Sequence, residues 1–141
     1  MKGHLRRPAV IALSLIAILC VQCAEIVTPP GGPEDRTAPV LVSSIPENGA
    51  LGVAPECEIV LQFTESLVKS TTGTCVQVFP RPSSEPKIQW KSERIVIRLP
   101  DSFRTDQTYI VSVSTTVADR HNNKLDSAVF IAFSTGQAID S

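Results

Sequence analysis

From Ala38 to Gly136 the sequence predicts an all-β fold: a two-sheet Greek-key β-sandwich of about seven strands in about a hundred residues. Three observations predict it. Short runs alternate apolar and polar residues with a period of two, as strands with one wet face do. Turn residues, chiefly Pro, Gly, Asn and Asp, interrupt these runs at short intervals. No stretch of this part sustains a helical period, and β-branched residues fill the runs. With 141 residues, the chain has room for one such domain and a targeting segment.

The chain does not begin with this pattern. Lys2, Arg6 and Arg7 form a basic start, and Ala9 to Leu19 is an apolar run with Ser14 as its one polar member. This is the pattern of a secretory signal peptide. The run is shorter than the roughly 20 residues a spanning helix needs. The Arg6-Arg7 pair lacks the surroundings of a twin-arginine signal. Two cysteines come after the run. Cys20 succeeds Ala17-Ile18-Leu19, with a bulky residue in the last place. Cys23 succeeds Cys20-Val21-Gln22, with Gln where a lipoprotein signal usually has a small residue. Cys23 is the better candidate because of the residues after it. Cys23-Ala24, then Pro29-Pro30-Gly31-Gly32-Pro33-Glu34-Asp35, resembles the start of many mature bacterial surface lipoproteins. That resemblance implies a diacylglyceryl thioether on Cys23 and an acylated N-terminus, supplying the two or more chains that stable anchoring takes. The alternative is an unmodified Cys23 beside an ordinary cleavage site.

Thr28 to Pro39 holds four prolines, two glycines and three charged residues, with no apolar periodicity. Proline extends such a segment and Gly31-Gly32 hinges it, so it reads as a flexible tether holding a domain off a membrane. A purposeless disordered terminus would have the same composition. The expected organisation is a signal peptide at 1–22, a lipidated N-terminus and tether at 23–37, a folded domain at 38–136 and a tail at 137–141. The whole chain carries 13 basic and 14 acidic residues. Without Lys2, Arg6 and Arg7, 10 basic residues face 14 acidic ones, a net charge near −4 with His neutral. That excludes nucleic-acid binding through phosphates, which takes clustered Lys and Arg.

Pro39 to Ile45 is a first edge strand, where proline is tolerated. Pro46-Glu47-Asn48-Gly49-Ala50 is a turn, its Asn-Gly accepting positive φ. Glu58 to Phe63 turns Ile59, Leu61 and Phe63 to one face. A short helical turn fits Glu65 to Lys69. After a loop at Thr71 to Thr74, Cys75 to Phe79 is a strand stopped by Pro80 and Pro82. Lys87 to Lys91 pairs Ile88 with Trp90 on one face. Glu93 to Leu99 does the same for Ile95, Ile97 and Leu99, as does Tyr109 to Val113 for Tyr109, Val111 and Val113. Asp119 to Lys124 is a polar turn. Val129 to Phe133 closes the sheet with Val129, Ile131 and Phe133 inward.

Several stretches carry a family likeness in this order and spacing. They are Ser44-Ile45-Pro46-Glu47-Asn48-Gly49-Ala50, Leu61-Gln62-Phe63-Thr64-Glu65, Thr108 to Val113, Val117-Ala118-Asp119 to Asn122-Asn123-Lys124-Leu125, and Phe133-Ser134-Thr135-Gly136. Through them Pro39 to Gly136 resembles the bacterial Ig-like domain of the S-layer-protein type. The resemblance implies an Ig-like sandwich. The sequence departs from the pattern at Ala38, where a second proline is common, and at Cys57 and Cys75.

Few residues offer chemistry. His121 is the one histidine beyond the signal segment, which excludes a multi-histidine metal site and leaves one partner for a nucleophile. It sits in a polar turn and reads as solvated. Glu56 and Glu58 share a face, but the wet one, so they read as a solvated pair rather than an acid and base. Asp119, Asn122 and Asn123 offer oxygens, yet without EF-hand spacing, and Asx-turn hydrogen bonds explain them as well. No metal and no cofactor is expected. Tyr109 stands where a tyrosine corner is built, and Trp90 reads as structural sheet filler. After export, a Cys57–Cys75 bridge is chemically allowed, but Cys57 reads as inward and Cys75 as outward.

The favoured function is a non-enzymatic exported lipoprotein whose Ig-like domain is a spacer or interaction module at the cell envelope, on the outer membrane or cell surface. Its partners are then the membrane, through the anchor, and an envelope protein or glycan. The alternative is a carbohydrate- or protein-binding accessory domain of an envelope assembly. An aromatic patch on an exposed sheet favours binding, whereas a uniformly polar surface favours spacing. Aromatic residues are 5% of the chain, which leans towards spacing. In relatives with this beginning, Phe-Ser-Thr-Gly often leads into more β-rich sequence, so the chain is a short member or the N-terminal piece of a longer lipoprotein. Cys23→Ser is expected to release the protein from membranes and abolish palmitate labelling. Mass spectrometry of the N-terminus checks it, and label surviving the substitution refutes the anchor.

Overall fold

Alternation of period two becomes nine strands among the described residues. The computed structural model describes residues 31–69 and 75–140. The signal peptide, Cys20, Cys23, most of the tether and the Thr71–Thr74 loop lie outside the described residues. Gly31 to Glu34, in the first of two units, is exposed and without regular structure. The second unit, Asp35–Ser141, holds all nine strands.

The strands are β1 (Leu41–Ile45), β2 (Ile59–Phe63), β3 (Leu67–Val68), β4 (Val76–Phe79), β5 (Lys87–Lys91), β6 (Arg94–Arg98), β7 (Thr108–Val113), β8 (Ala118–Asp119) and β9 (Val129–Ser134). One sheet runs β1-β2-β6-β5, a second runs β4-β7-β9, and β3 and β8 form a two-stranded ribbon. Every named pairing is antiparallel. With the ribbon set aside, seven strands remain, divided four and three in the order of an Ig constant-type sandwich.

The register explains why the core forms. Ile59, Leu61 and Phe63 stand beside Ile95 and Ile97 on the inner face of the first sheet. Tyr109, Val111 and Val113 stand beside Ile131 and Phe133 on the inner face of the second. Phe103, Tyr109 and Phe133 form a ring cluster with centroids 4.8 to 5.7 Å apart. The Tyr109 hydroxyl accepts the Arg104 amide at 2.8 Å, five residues upstream. Gly49, at φ +87°, lets the Asn48-Gly49 turn reach β9. The Gly49 amide donates to the Ala132 carbonyl at 2.7 Å, while Asn48 Oδ1 accepts the Ala132 amide at 2.9 Å.

Two expectations are corrected. Glu65 to Lys69 is not a helical turn. Leu67 and Val68 form β3, because pairing with Asp119 and Ala118 and a Leu67 amide bond to the Ser92 carbonyl satisfy the backbone while burying Leu67. Cys75 does not face outward. It lies in a bend just before β4, where the strand's alternation does not apply, and is buried next to buried Val76. Cys57 and Cys75 are both free thiols. Cys57 is half-buried with Glu56, Pro100 and Phe103 around one hollow, while Cys75 lines a different one between β4 and β5.

Phe133→Ala is expected to cost about 3–5 kcal/mol through the cavity it leaves in the ring cluster. Tyr109→Phe keeps the ring and loses one hydrogen bond, about 1 kcal/mol. Urea unfolding of the two variants checks the ranking.

Candidate functional site

The two outer faces differ in charge, though the first also exposes Ile45 on β1. Since inner residues alternate with outer ones, the outer face of the first sheet carries Arg94 and Arg98 on β6 and Lys87 and Lys91 on β5. An ion pair joins Arg98 Nε to Glu58, just before β2. The outer face of β4-β7-β9 carries no charged residue. It consists of Gln77, Phe79, Thr108, Ile110, Ser112, Phe130 and Ala132, with Ser134 in the same phase but buried. Phe79, Ile110 and Ala132 lie in one cross-strand row, and Phe130 lies in the next, opposite Ser112. Phe79 is 49%, Ile110 41% and Phe130 64% exposed.

Composition missed this patch because it counts aromatics without placing them. The signal was present in the strands: Phe79, Ile110 and Phe130 are large apolar residues out of phase with the inner set.

A space of about 770 Å³ opens between β4 and β5. Val76 and Val78 line one side, and Ile88 and Trp90 the other, with Arg81 to Pro86 across one end. Trp90 is therefore half-buried at a sheet edge rather than enclosed in the core.

Where the domain begins, Asp35 meets the 119–123 turn. Asp119 Oδ1 accepts the amides of His121 and Asn123, each at 2.8 Å, and Oδ2 accepts Asn123 Nδ2 at 3.0 Å. The same Nδ2 donates to the Asp35 carbonyl at 3.1 Å. His121 Nδ1 lies 3.3 Å from Asp35 Oδ2 and 3.9 Å from Asp119 Oδ2. Asn122 is exposed at φ 68° and forms the tip of the turn. Donor atoms of Asp35, Asp119 and His121 fall within 4.8 Å of one another, a spacing a metal ion tolerates. Yet both Asp119 oxygens already serve the turn, and what they do there is clamp Asp35 onto the domain.

The clamp sets the local titration. Burial pushes the Asp119 carboxyl up, but the Asn123 side chain and the Asn123 and His121 amides outweigh it and hold the group below the usual carboxylate range. Hydrogen bonds from Thr37 hold Asp35 down as well. Glu65 moves the other way, pushed up by desolvation and by the charges of Asp35 and Asp119.

The signs are opposite. Asp119 stabilises the fold above its ordinary value of 3.8, and that contribution is lost as pH falls through its lowered folded value. Glu65 stabilises most below its ordinary value of 4.5, and that contribution is lost as pH rises through its raised folded value. Glu65→Gln is thus expected to raise Tm at neutral pH, with the advantage vanishing below 4.5. Asp119→Asn is expected to lower Tm at neutral pH, with the deficit shrinking below 3.8. Thermal melts across the acid range check both.

Comparison with known proteins adds the relationship. Residues 35–135 match the family described as bacterial Ig-like domain. No curated protein matches the sequence. Among solved structures the chain is similar to PcoC, a methionine-rich copper resistance protein from Escherichia coli. The likeness has a TM-score of 0.54 at 21% identity and covers 70% of this chain and 98% of PcoC. At that identity it speaks for a shared fold, and the one methionine of the present chain is Met1. A family match over most of the sequence, on a sandwich with four strands facing three, places this chain in the bacterial Ig-like domain family.

Proposed function

We propose that the chain is a non-enzymatic lipoprotein exported to the cell envelope, anchored through Cys23, whose Ig-like domain is an interaction module that docks another envelope protein. The uncharged outer face of β4-β7-β9 carries this reading. Three large apolar side chains stand exposed there among Gln, Thr, Ser and Ala. Contiguous apolar exposure of this kind marks contact surfaces. A spacer has no use for it, and the opposite sheet carries charge on its outer face, so the fold does not demand an apolar one. Phe and Ile offer no side-chain hydrogen bonds, which favours an apolar protein surface over the alternative partner, a glycan.

The placement of the reactive side chains supports the non-enzymatic part. His121 is engaged with Asp35 and lines neither hollow, and Cys57 and Cys75 sit apart from it. Burial pushes the Cys57 thiol up, aided by the Glu58 charge, which disfavours a nucleophilic thiolate.

A photo-crosslinker at Ile110 in living cells is expected to give a discrete protein adduct, whereas one at Gln89 on the opposite face gives none. Phe79→Ser with Phe130→Ser is expected to reduce the Ile110 adduct about tenfold, a loss near 1.4 kcal/mol. Equal adducts from both faces, or an Ile110 adduct insensitive to the double substitution, sinks the reading.

A further inference from the structure

We infer that the open seam between β4 and β5 is a strand-addition site, which takes an extended acidic peptide segment as a new edge strand on β4. This goes beyond the outer-face reading and shares with it only Phe79, at the border of the seam.

The four-stranded sheet faces a three-stranded one, and β4 is the unpaired edge of the smaller sheet among the described residues. The Ser114 amide donates to the Cys75 carbonyl at 2.8 Å, so Cys75 and Ser114 form a hydrogen-bonded pair. Pair types alternate along an antiparallel ladder. Val76–Val113 and Val78–Val111 are therefore non-hydrogen-bonded pairs. The N–H and C=O groups of Val76 and Val78 consequently point away from β7, into the seam. On the other side, Ser92, at φ 48°, and Glu93 make a two-residue hairpin. Its flanking pair, Lys91–Arg94, is hydrogen-bonded, which turns the backbone groups of Ile88 and Trp90 to the free edge of β5.

The space fits a strand. It measures about 770 Å³, and its apolar lining includes Val76, Val78, Phe79, Ile88 and Trp90. A strand laid beside β4 exchanges bonds with the exposed groups of Val76 and Val78. Its inward side chains then cover Ile88 and Trp90, which are half-buried with no facing strand among the described residues. This is β-augmentation: main-chain bonds give affinity, and alternate side chains give selectivity.

Charge selects the occupant. Lys69 and Arg81 line the seam against the single acid Glu85, while Lys87 and Lys91 stand on the outer face of the adjoining β5. This cationic rim stands on a chain whose overall charge is negative. A peptide alternating apolar and acidic residues satisfies both the lining and the rim.

The test uses the purified full-length chain and the fluorescence of Trp90, its one tryptophan. The probe is an acetylated, amidated peptide of about six residues alternating valine and glutamate, matched to a typical strand. A saturable change in Trp90 emission and slowed exchange of the Val76 and Val78 amides are expected. A peptide with proline in place of its central valine, or with lysine in place of glutamate, is expected to bind at least about tenfold more weakly. Arg81→Glu should weaken the glutamate peptide and strengthen the lysine peptide. Phe130→Ser, on the outer face, should leave both unchanged, so this site and the proposed docking face fail independently. Absence of a saturable change overturns the inference. So does equal binding of the proline peptide, or indifference to Arg81→Glu.

Discussion

Ile59, Leu61, Ile95 and Ile97 on one sheet close against Val111, Val113 and Phe133 on the other, and water is excluded from all of them. The contact is the condition for the rest. A domain of this size is stable by only about 5–15 kcal/mol, and one buried aliphatic or aromatic side chain is worth about 1.5–3 kcal/mol. No inner position is spare. A one-residue slip in any strand would turn its apolar set to solvent, so the core also fixes the register. Because successive side chains alternate, the same requirement sends the intervening residues outward whatever their chemistry. The inner faces are thus constrained by the fold, and the outer faces are free to differ. One carries Arg and Lys, and the other carries no charge.

The polar interactions secure the ends of this sandwich rather than its middle. Tyr109 ties its strand to Arg104 through the hydroxyl. Thr135 Oγ1 donates to the Arg104 carbonyl at 2.6 Å and accepts the Gln107 amide at 3.0 Å, holding the end of β9 to the same corner. Asp119 organises the turn at the other place where loops meet, and through Asn123 it fixes Asp35, where the domain starts. These contacts explain why short polar signatures stood out in the sequence. Asp119 to Leu125 and Phe133 to Gly136 are loop-locking devices. Their residue types suit the hydrogen-bond geometry of those loops.

Geometry also decides what the sequence could reveal. Strand positions were legible because burial on one face imposes a two-residue period, as at Ile59, Leu61 and Phe63. The Tyr109 position was legible because a corner of this type recurs at one place in the fold. Leu67-Val68 was not, since two residues are too few to show a period, and only pairing with β8 makes them a strand. Cys75 was misdirected because alternation was carried one residue past the end of β4, into a bend. The seam between β4 and β5 was beyond sequence reasoning altogether. Ile88 and Trp90 have the inward phase of core residues, and nothing local says that, among the described residues, the facing sheet has no strand above them.

The four edges of the two sheets differ in how they are protected. A bare edge invites pairing with other chains, and folded proteins blunt theirs. β1 is interrupted by a register shift between Leu41 and Ser43 and bounded by Pro39 and Pro46. β9 is covered by the 48–53 segment, whose Gly49 and Ala50 bond to Ala132 and Ser134. β5 keeps Lys87 and Lys91 at its two ends. β4 reads Val-Gln-Val-Phe, with neither charge nor bulge within it and its proline only after the strand. Among the described residues three edges carry protection and one does not. The unprotected one borders an apolar space with a cationic rim, so the missing protection and the electrostatics point to the same strip of backbone, Val76 to Val78.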